Sequence, residues 1–208
     1  MSKNYLSIYA KSFSWASFFL PKKIYKKCST LYDFCRSLDN IADQDLDLNT
    51  KIKQFNKFKD KFLNENTDDE IITRMKKLIN DYNISKKIVY DLFDGVEYDL
   101  KKEVKINSKK ELLIYSYRVA GTVGLMMAKI LSVKRKVSLK SAIDLGIAMQ
   151  LTNISRDVIE DSKKNRKYIE YNFESIRNTL ITADTFYQSS FSSISDIPIR
   201  CRFAIIVA

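Results

Sequence analysis

The stretch Ile147-Ala148-Met149-Gln150-Leu151-Thr152-Asn153-Ile154-Ser155-Arg156-Asp157-Val158-Ile159-Glu160-Asp161 carries two interleaved stripes. Ile147, Leu151, Ile154 and Val158 recur at steps of three and four and mark a face that belongs in a core. Gln150, Asn153, Asp157, Glu160 and Asp161 recur at the same steps on another side, with Arg156 next to them. A strand would scatter both sets over its two faces, so the stretch reads as an amphipathic helix. Its polar stripe places Asp157 and Asp161 side by side. Two carboxylates that close repel unless a cation stands between them.

The helical period extends in both directions. Tyr25, Cys28, Leu31, Tyr32, Cys35, Leu38 and Ala42 mark a helix over 24–43, and Ile52, Phe55, Phe58 and Phe62 mark a second. The polar segment 45–49 separates them, and 12–19 is a short apolar stretch ending at Pro21. Residues 64–69 break the chain, with Asp68 or Asp69 available as an N-cap. Two more helices follow over 71–79 and 84–100, the latter beginning after Ser85. Ser108 caps a long helix over 109–131, and Lys134-Arg135-Lys136 forms a basic turn. Ser138 or Ser141 opens a helix running to Lys163, and 173–190 is the last full helix. With 4 Gly and 2 Pro, the chain is too poor in breakers for a sandwich or barrel. No strand pairs, Gly-rich phosphate loops or repeats stand out. One all-α domain over 1–208 is expected.

Composition narrows the chemistry. The chain has no histidine, which excludes imidazole bases, Ser-His and Cys-His nucleophiles and His-ligated zinc. Carboxylates, amides, hydroxyls, Lys and Arg must do the work. Cys28, Cys35 and Cys201 form no CxxC pair, and a reducing cytoplasm is the simpler setting. No apolar run approaches the ~18 residues that span a bilayer, and no signal-peptide pattern with a small-residue cleavage site is read after Met1-Ser2-Lys3-Asn4. The net charge of +11 suits nucleic acid, an acidic membrane or a polyanionic small substrate. It equally suits a lysine bias spread over solvated faces. No nucleic-acid motif accompanies it, so no nucleic acid partner is expected.

A second carboxylate pair, Asp39/Asp43, repeats the i, i+4 spacing, and Tyr32 and Arg36 precede it on the same face. Mg²⁺ accepts such oxygens while sharing its other positions with phosphates, and Arg forks onto phosphate oxygens. Gly121 and Gly124 lie inside a strong helix, where each costs roughly 1 kcal/mol relative to Ala. Close helix packing or room for a long apolar substrate would explain them, with Leu125, Met126 and Met127 as a flexible wall.

These residues, taken together, resemble the squalene/phytoene synthase family of the all-α isoprenoid synthase fold, a helical bundle around a central cavity. Lys11-Ser12-Phe13-Ser14 with Leu20-Pro21 is similar to its "KSF…LP" segment, and Tyr32 to Asp43 to its first aspartate motif. The segment from Val119 through Gly121, Val123 and Gly124 to Met127 is similar to "AGTVGxMM". Gln150 to Asp161 resembles "QLTNIxRDVxED", in wording nearest the phytoene synthases, and Arg166-Lys167-Tyr168 follows as "RxY". Asn40 replaces the second Asp of the usual "DD", Tyr9-Ala10 a His-Ser, and Glu170 a Pro.

The resemblance implies Mg²⁺, with Mn²⁺ as an alternative ion, held by Asp39, Asp43, Asn153, Asp157 and Asp161. The four aspartates would be catalytic. Lys11, Ser12, Tyr32, Arg36, Gln150, Arg156, Tyr168, Gly121, Val123 and Gly124 would bind substrate. It implies head-to-head condensation of two prenyl diphosphates through a cyclopropylcarbinyl diphosphate, giving phytoene from geranylgeranyl diphosphate. The alternatives are a farnesyl-using squalene or dehydrosqualene synthase and a non-catalytic assembly factor, against which the retained aspartates count. Residues 197–205 resemble a segment that precedes further helices, so a C-terminally truncated domain is expected. Lys22-Lys23, Lys26-Lys27 and Lys134 to Lys136 offer peripheral contact with an anionic membrane.

Overall fold

The computed structural model describes residues 20–64 and 67–207. Helix α1, Lys22–Asp43, starts directly after Pro21, whose carbonyl accepts from the amides of Ile24 and Tyr25. It buries Cys28, Leu31, Leu38 and Ala42 of the periodic set together with Phe34, which that set did not include, while Tyr25, Tyr32 and Cys35 are half-buried. Helix α2, Leu48–Leu63, is capped by Asp47, and α3, Glu70–Asp81, by Asp69. Ser85 caps α4, Lys86–Tyr98, by accepting from the Lys87 amide. Phe34, Phe55, Phe58, Phe62 and Phe93 join α1, α2 and α4 through ring contacts with centroids 5.3 to 6.1 Å apart. Tilted and edge-on aromatic pairs of this kind add to simple burial.

The second half is built around α7, Lys136–Arg156, which packs against α6, Thr122–Ile130, and α9, Phe173–Phe191. Ser108 caps α5, Lys109–Ser116. A π-helical turn, Tyr117–Gly121, connects α5 to α6, closed by the Thr122 amide donating to the Tyr117 carbonyl. The expected continuous helix over 109–131 is therefore two helices with an inserted residue between them. The short α8, Val158–Lys163, follows α7, and α10, Ile199–Val207, follows a 3₁₀ turn at Ile194–Asp196.

Three other expectations need correction. The helix meant to open at Ser138 or Ser141 starts at Lys136, and both serines are buried in its interior. Their hydroxyls meet Asp196 and Ser193, so they join helices rather than cap one. The run to Lys163 is broken at Asp157 (φ −100°, ψ 13°), where α7 ends and α8 begins. A strand pair also exists: β1, Val104–Lys105, lies parallel to β2, Arg166–Lys167. Two residues per strand leave no alternation to read. Asn165, in the left-handed region at φ 56°, makes the turn that delivers β2.

The glycines are explained by close approach. A β-carbon on Gly124 would run into the carbonyl oxygen of Ala142, and one on Gly146 into that of Ala120. The backbones of α6 and α7 thus cross in contact, which only missing side chains allow. A β-carbon on Gly121 would instead press on the side chains of Ile143 and Tyr117, each at 3.1 Å.

Candidate active site

Between α1, α6, α7 and the α9–α10 region lies a cavity of about 370 Å³. Leu31, Leu92, Val123, Met127, Leu145 and Met149 give it an apolar wall, with Gly124 where the helices touch. Tyr32, Asp39, Gln150 and Asn153 line it as well. Asp39 lies near the C-terminus of α1, and Gln150 and Asn153 near that of α7, while Tyr32 stands about two turns back along α1. A greasy chamber ending in carboxylate and amide oxygens is the result.

Asp39 is open to the cavity and walled by protein on its other sides. Its carboxyl is pushed up to about 7, first by that enclosure and then by the neighbouring Asp43, with Arg36 opposing. Arg36, half-buried three residues ahead, also acts on Tyr32, whose hydroxyl is raised mainly by burial. The Asp161 carboxyl is pushed up to about 6, by burial first and Asp157 in addition, while Arg166 pulls it down.

Arg166 connects the two aspartate motifs. Its Nη1 donates to Asp43 at 2.9 Å and its Nη2 to the Ala42 carbonyl at 3.2 Å. Asp39, Asp99 and Asp161 all feel the same guanidinium. Burial works against the charge of Arg166, but Asp99 and Asp43 more than offset it, so the guanidinium stays protonated far above neutral pH. Lys164 stands 3.6 Å from Asp43. The first pair, on α1, and the second, at the α7–α8 break, therefore converge on one side of the bundle.

Beneath Arg166 is a buried network that sequence reasoning missed. Tyr168 donates to Asp99 at 2.6 Å and Tyr115 to the other oxygen at 2.8 Å. The rings of Tyr115 and Tyr168 stack with centroids 4.8 Å apart. Burial raises the Asp99 carboxyl, against the pull of Arg166 and the two hydroxyls. Asp99 is the C-cap of α4, where a carboxylate opposes the helix dipole. That unfavourable placement was the available signal. Arg166 was visible only as part of a motif ending.

The remaining expected residues fall as follows. Tyr168 turns its hydroxyl to Asp99 and is not among the residues lining the cavity. Arg156 is exposed and grips Asp157 through two bonds of 2.6 Å. Gly121 is buried beside α7 and Val123 faces the chamber. Lys11 and Ser12 lie outside the described residues.

The donor set bears on a metal. Asp39, Asp43, Asp161 and Asn153 offer hard oxygens, and the crowding of Asp39 by Asp43 is the kind a divalent cation relieves. Among the described residues no three acidic or thiol side chains stand ready to cage an ion alone.

The fold and site together place this chain among the all-α isoprenoid synthases. It belongs to the squalene/phytoene synthase family, whose model matches residues 6–169. A 15-cis-phytoene synthase of Enterobacter agglomerans is 36% identical over 117 residues, covering 46% of this chain and 40% of that enzyme. A 4,4'-diapophytoene synthase of Staphylococcus haemolyticus is 34% identical over 165 residues, 77% of this chain and 58% of its own length. Both matches span less than two thirds of those relatives. A crystal structure of a dehydrosqualene synthase in complex with ligand superposes with a TM-score of 0.81 at 24% identity, over 98% of this chain and 81% of that one. At that identity the likeness establishes the fold.

Proposed function

We propose that this chain condenses two prenyl diphosphates head to head, with two geranylgeranyl diphosphates giving phytoene. The observation that carries this reading is the cavity: apolar along its wall, it ends at Asp39, Gln150 and Asn153, beside the Arg166-centred carboxylates. An allylic diphosphate needs both environments at once. Its leaving group must be neutralised, and the carbocation left behind must be kept from water.

Asp39, Asp43, Asn153, Asp157 and Asp161 would hold Mg²⁺, which when bound neutralises the diphosphate and assists its departure. Arg166 and Arg36 add fixed positive charge at that end. Arg156, now on Asp157, is free to turn to phosphate once a cation occupies the carboxylates. The Leu, Val and Met wall encloses the hydrocarbon and keeps water from the cation.

A second reading has its own support. The Staphylococcus haemolyticus relative is named for a shorter carotenoid precursor and matches more of this chain than the Enterobacter enzyme does. Farnesyl diphosphate is therefore the alternative substrate. Incubation with each labelled diphosphate and Mg²⁺, then organic extraction, decides between them. The proposal expects a C40 hydrocarbon from the longer substrate. A C30 product only would select the alternative, and no coupled product from either would refute both.

A further inference from the structure

We propose that Asp99 is a positioning residue for the carboxylate end of the chamber. Its fixed negative charge offsets that of Arg166 from the protein side, so that the aspartates Arg166 joins stay available to a divalent cation. Asp99 belongs to neither aspartate motif and is not among the residues lining the chamber. Its place is unfavourable twice over. At the C-cap of α4 a carboxylate opposes the helix dipole, and burial disfavours its charged form. An uncharged side chain there would avoid both costs.

The short strands are what bring its partners in. Val104 pairs with Arg166, and the amides of Val104 and Ile106 donate to the carbonyls of Asn165 and Lys167. The Tyr98 hydroxyl donates to the Lys105 carbonyl at 2.7 Å, securing the same loop to the end of α4. Arg166 and Tyr168 are thereby delivered to Asp99. Tyr168 and Tyr115 each give a hydroxyl to a different oxygen of its carboxyl. Burial first, then Asp99 itself, raises both phenols, so they remain neutral donors. Two phenol protons on two oxygens suit the ionised carboxylate, whereas a protonated carboxyl would use one oxygen as a donor.

Arg166 carries this charge to the site. Burial works against its guanidinium, and Asp99 is the largest influence in its favour, ahead of Tyr168 and Asp43. Its side chain is only 11% exposed, so solvent does little to screen it, while Nη1 holds Asp43 and Nη2 the Ala42 carbonyl. With Asp99 ionised, the two charges offset each other, and the aspartate motifs keep their attraction for a cation. Without Asp99 the guanidinium would act on those carboxylates alone, opposing Mg²⁺ and drawing in phosphate. The inference rests on the prenyl diphosphate reading for the identity of cation and anion, and on the network itself for the sign of the effect.

The test is Asp99→Asn, which keeps the shape and removes the charge, measured by titration calorimetry without prenyl substrate. Mg²⁺ should bind about tenfold more weakly, and inorganic diphosphate with a chelator present about tenfold more tightly, the order expected of one unit charge in an enclosed site. The opposite signs separate charge from structure, because a merely loosened site loses both ligands. Asp91→Asn is the control. Asp91 is on the same helix, also accepts a tyrosine hydroxyl, from Tyr117 at 3.1 Å, and is paired with the exposed Lys87 instead of Arg166. It should leave both affinities within about twofold, since a screened charge acts weakly at a distance. If Asp99→Asn fails to fold, adding Arg166→Gln should restore folding, because removing both members of an enclosed pair leaves no charge stranded.

The assignment is overturned if both affinities fall together, if neither moves, or if Asp91→Asn shifts them as much. It is overturned equally by a parent that binds no Mg²⁺, and by unfolding that Arg166→Gln does not relieve. Hydrocarbon formation by the parent is measured separately. Opposite shifts without hydrocarbon remove only the prenyl reading, and hydrocarbon without opposite shifts removes only the role of Asp99.

Discussion

Asp39 and Asp161 hold their protons to about pH 7 and about pH 6 because enclosure disfavours their charged forms and a neighbouring carboxylate adds to it. In the unfolded chain both would ionise near pH 4. The native state therefore binds more protons than the unfolded one across that window, and the metal-free protein loses stability as pH rises from about 4 to about 7. A cation requiring both carboxylates ionised must displace those protons. Mg²⁺ should raise the melting temperature more at about pH 8 than at about pH 5, with proton release visible by calorimetry in two buffers. Equal shifts at both pH values would detach the metal from these two residues. Tyr168→Phe removes one of two donors to the enclosed Asp99 carboxylate and should cost about 1–3 kcal/mol in urea denaturation. The aspartate pairs and Gln150 were legible because helical spacing alone brings them together. Arg166 and Asp99 were not, because their partners lie 123 and 69 residues away in the chain, at Asp43 and Tyr168, and only the folded bundle brings them into reach.

At the scale of elements, start signals read well and interruptions did not. Asp69, Ser85 and Ser108 each accept a first-turn amide, as side-chain chemistry dictates. Ser108→Ala should lower stability by about 1 kcal/mol, measured by denaturant titration. The break at Asp157 has no Pro or Gly to announce it. Ser138 and Ser141 were misread as caps because a serine facing a neighbouring helix looks the same in sequence as one facing its own amides. Gly124→Ala puts a methyl group where the Ala142 carbonyl stands, and should cost about 1–3 kcal/mol by overpacking, read by thermal melting. A variant as stable as the parent would mean that α6 and α7 can separate without penalty.

At the scale of the whole molecule, the order of helices was legible because each carries its own apolar stripe. A cavity was expected from the resemblance, but its wall was not legible: of Leu125, Met126 and Met127 only Met127 lines it, because the wall is assembled from the α1, α6, α7 and α9–α10 regions while Met126 packs in the first core cluster with Leu125 against it. Met127 sits on that wall. Met127→Trp should shorten the usable chamber and favour farnesyl over geranylgeranyl diphosphate by at least tenfold in competition, about 1.4 kcal/mol of discrimination. An unchanged ratio would mean that the prenyl chain lies elsewhere. The inserted residue at Tyr117–Gly121 has a consequence of its own. Because a π turn spreads about five residues over the arc that about four take in an α-helix, deleting one position there would let the chain heal into an unbroken α-helix with Val123 and Gly124 near their present bearings. One further inserted residue has no such slack and would turn both by about 100°, so that the chamber loses a wall while circular dichroism still reads a helix. Insertions in this turn should thus be far less tolerated than single deletions.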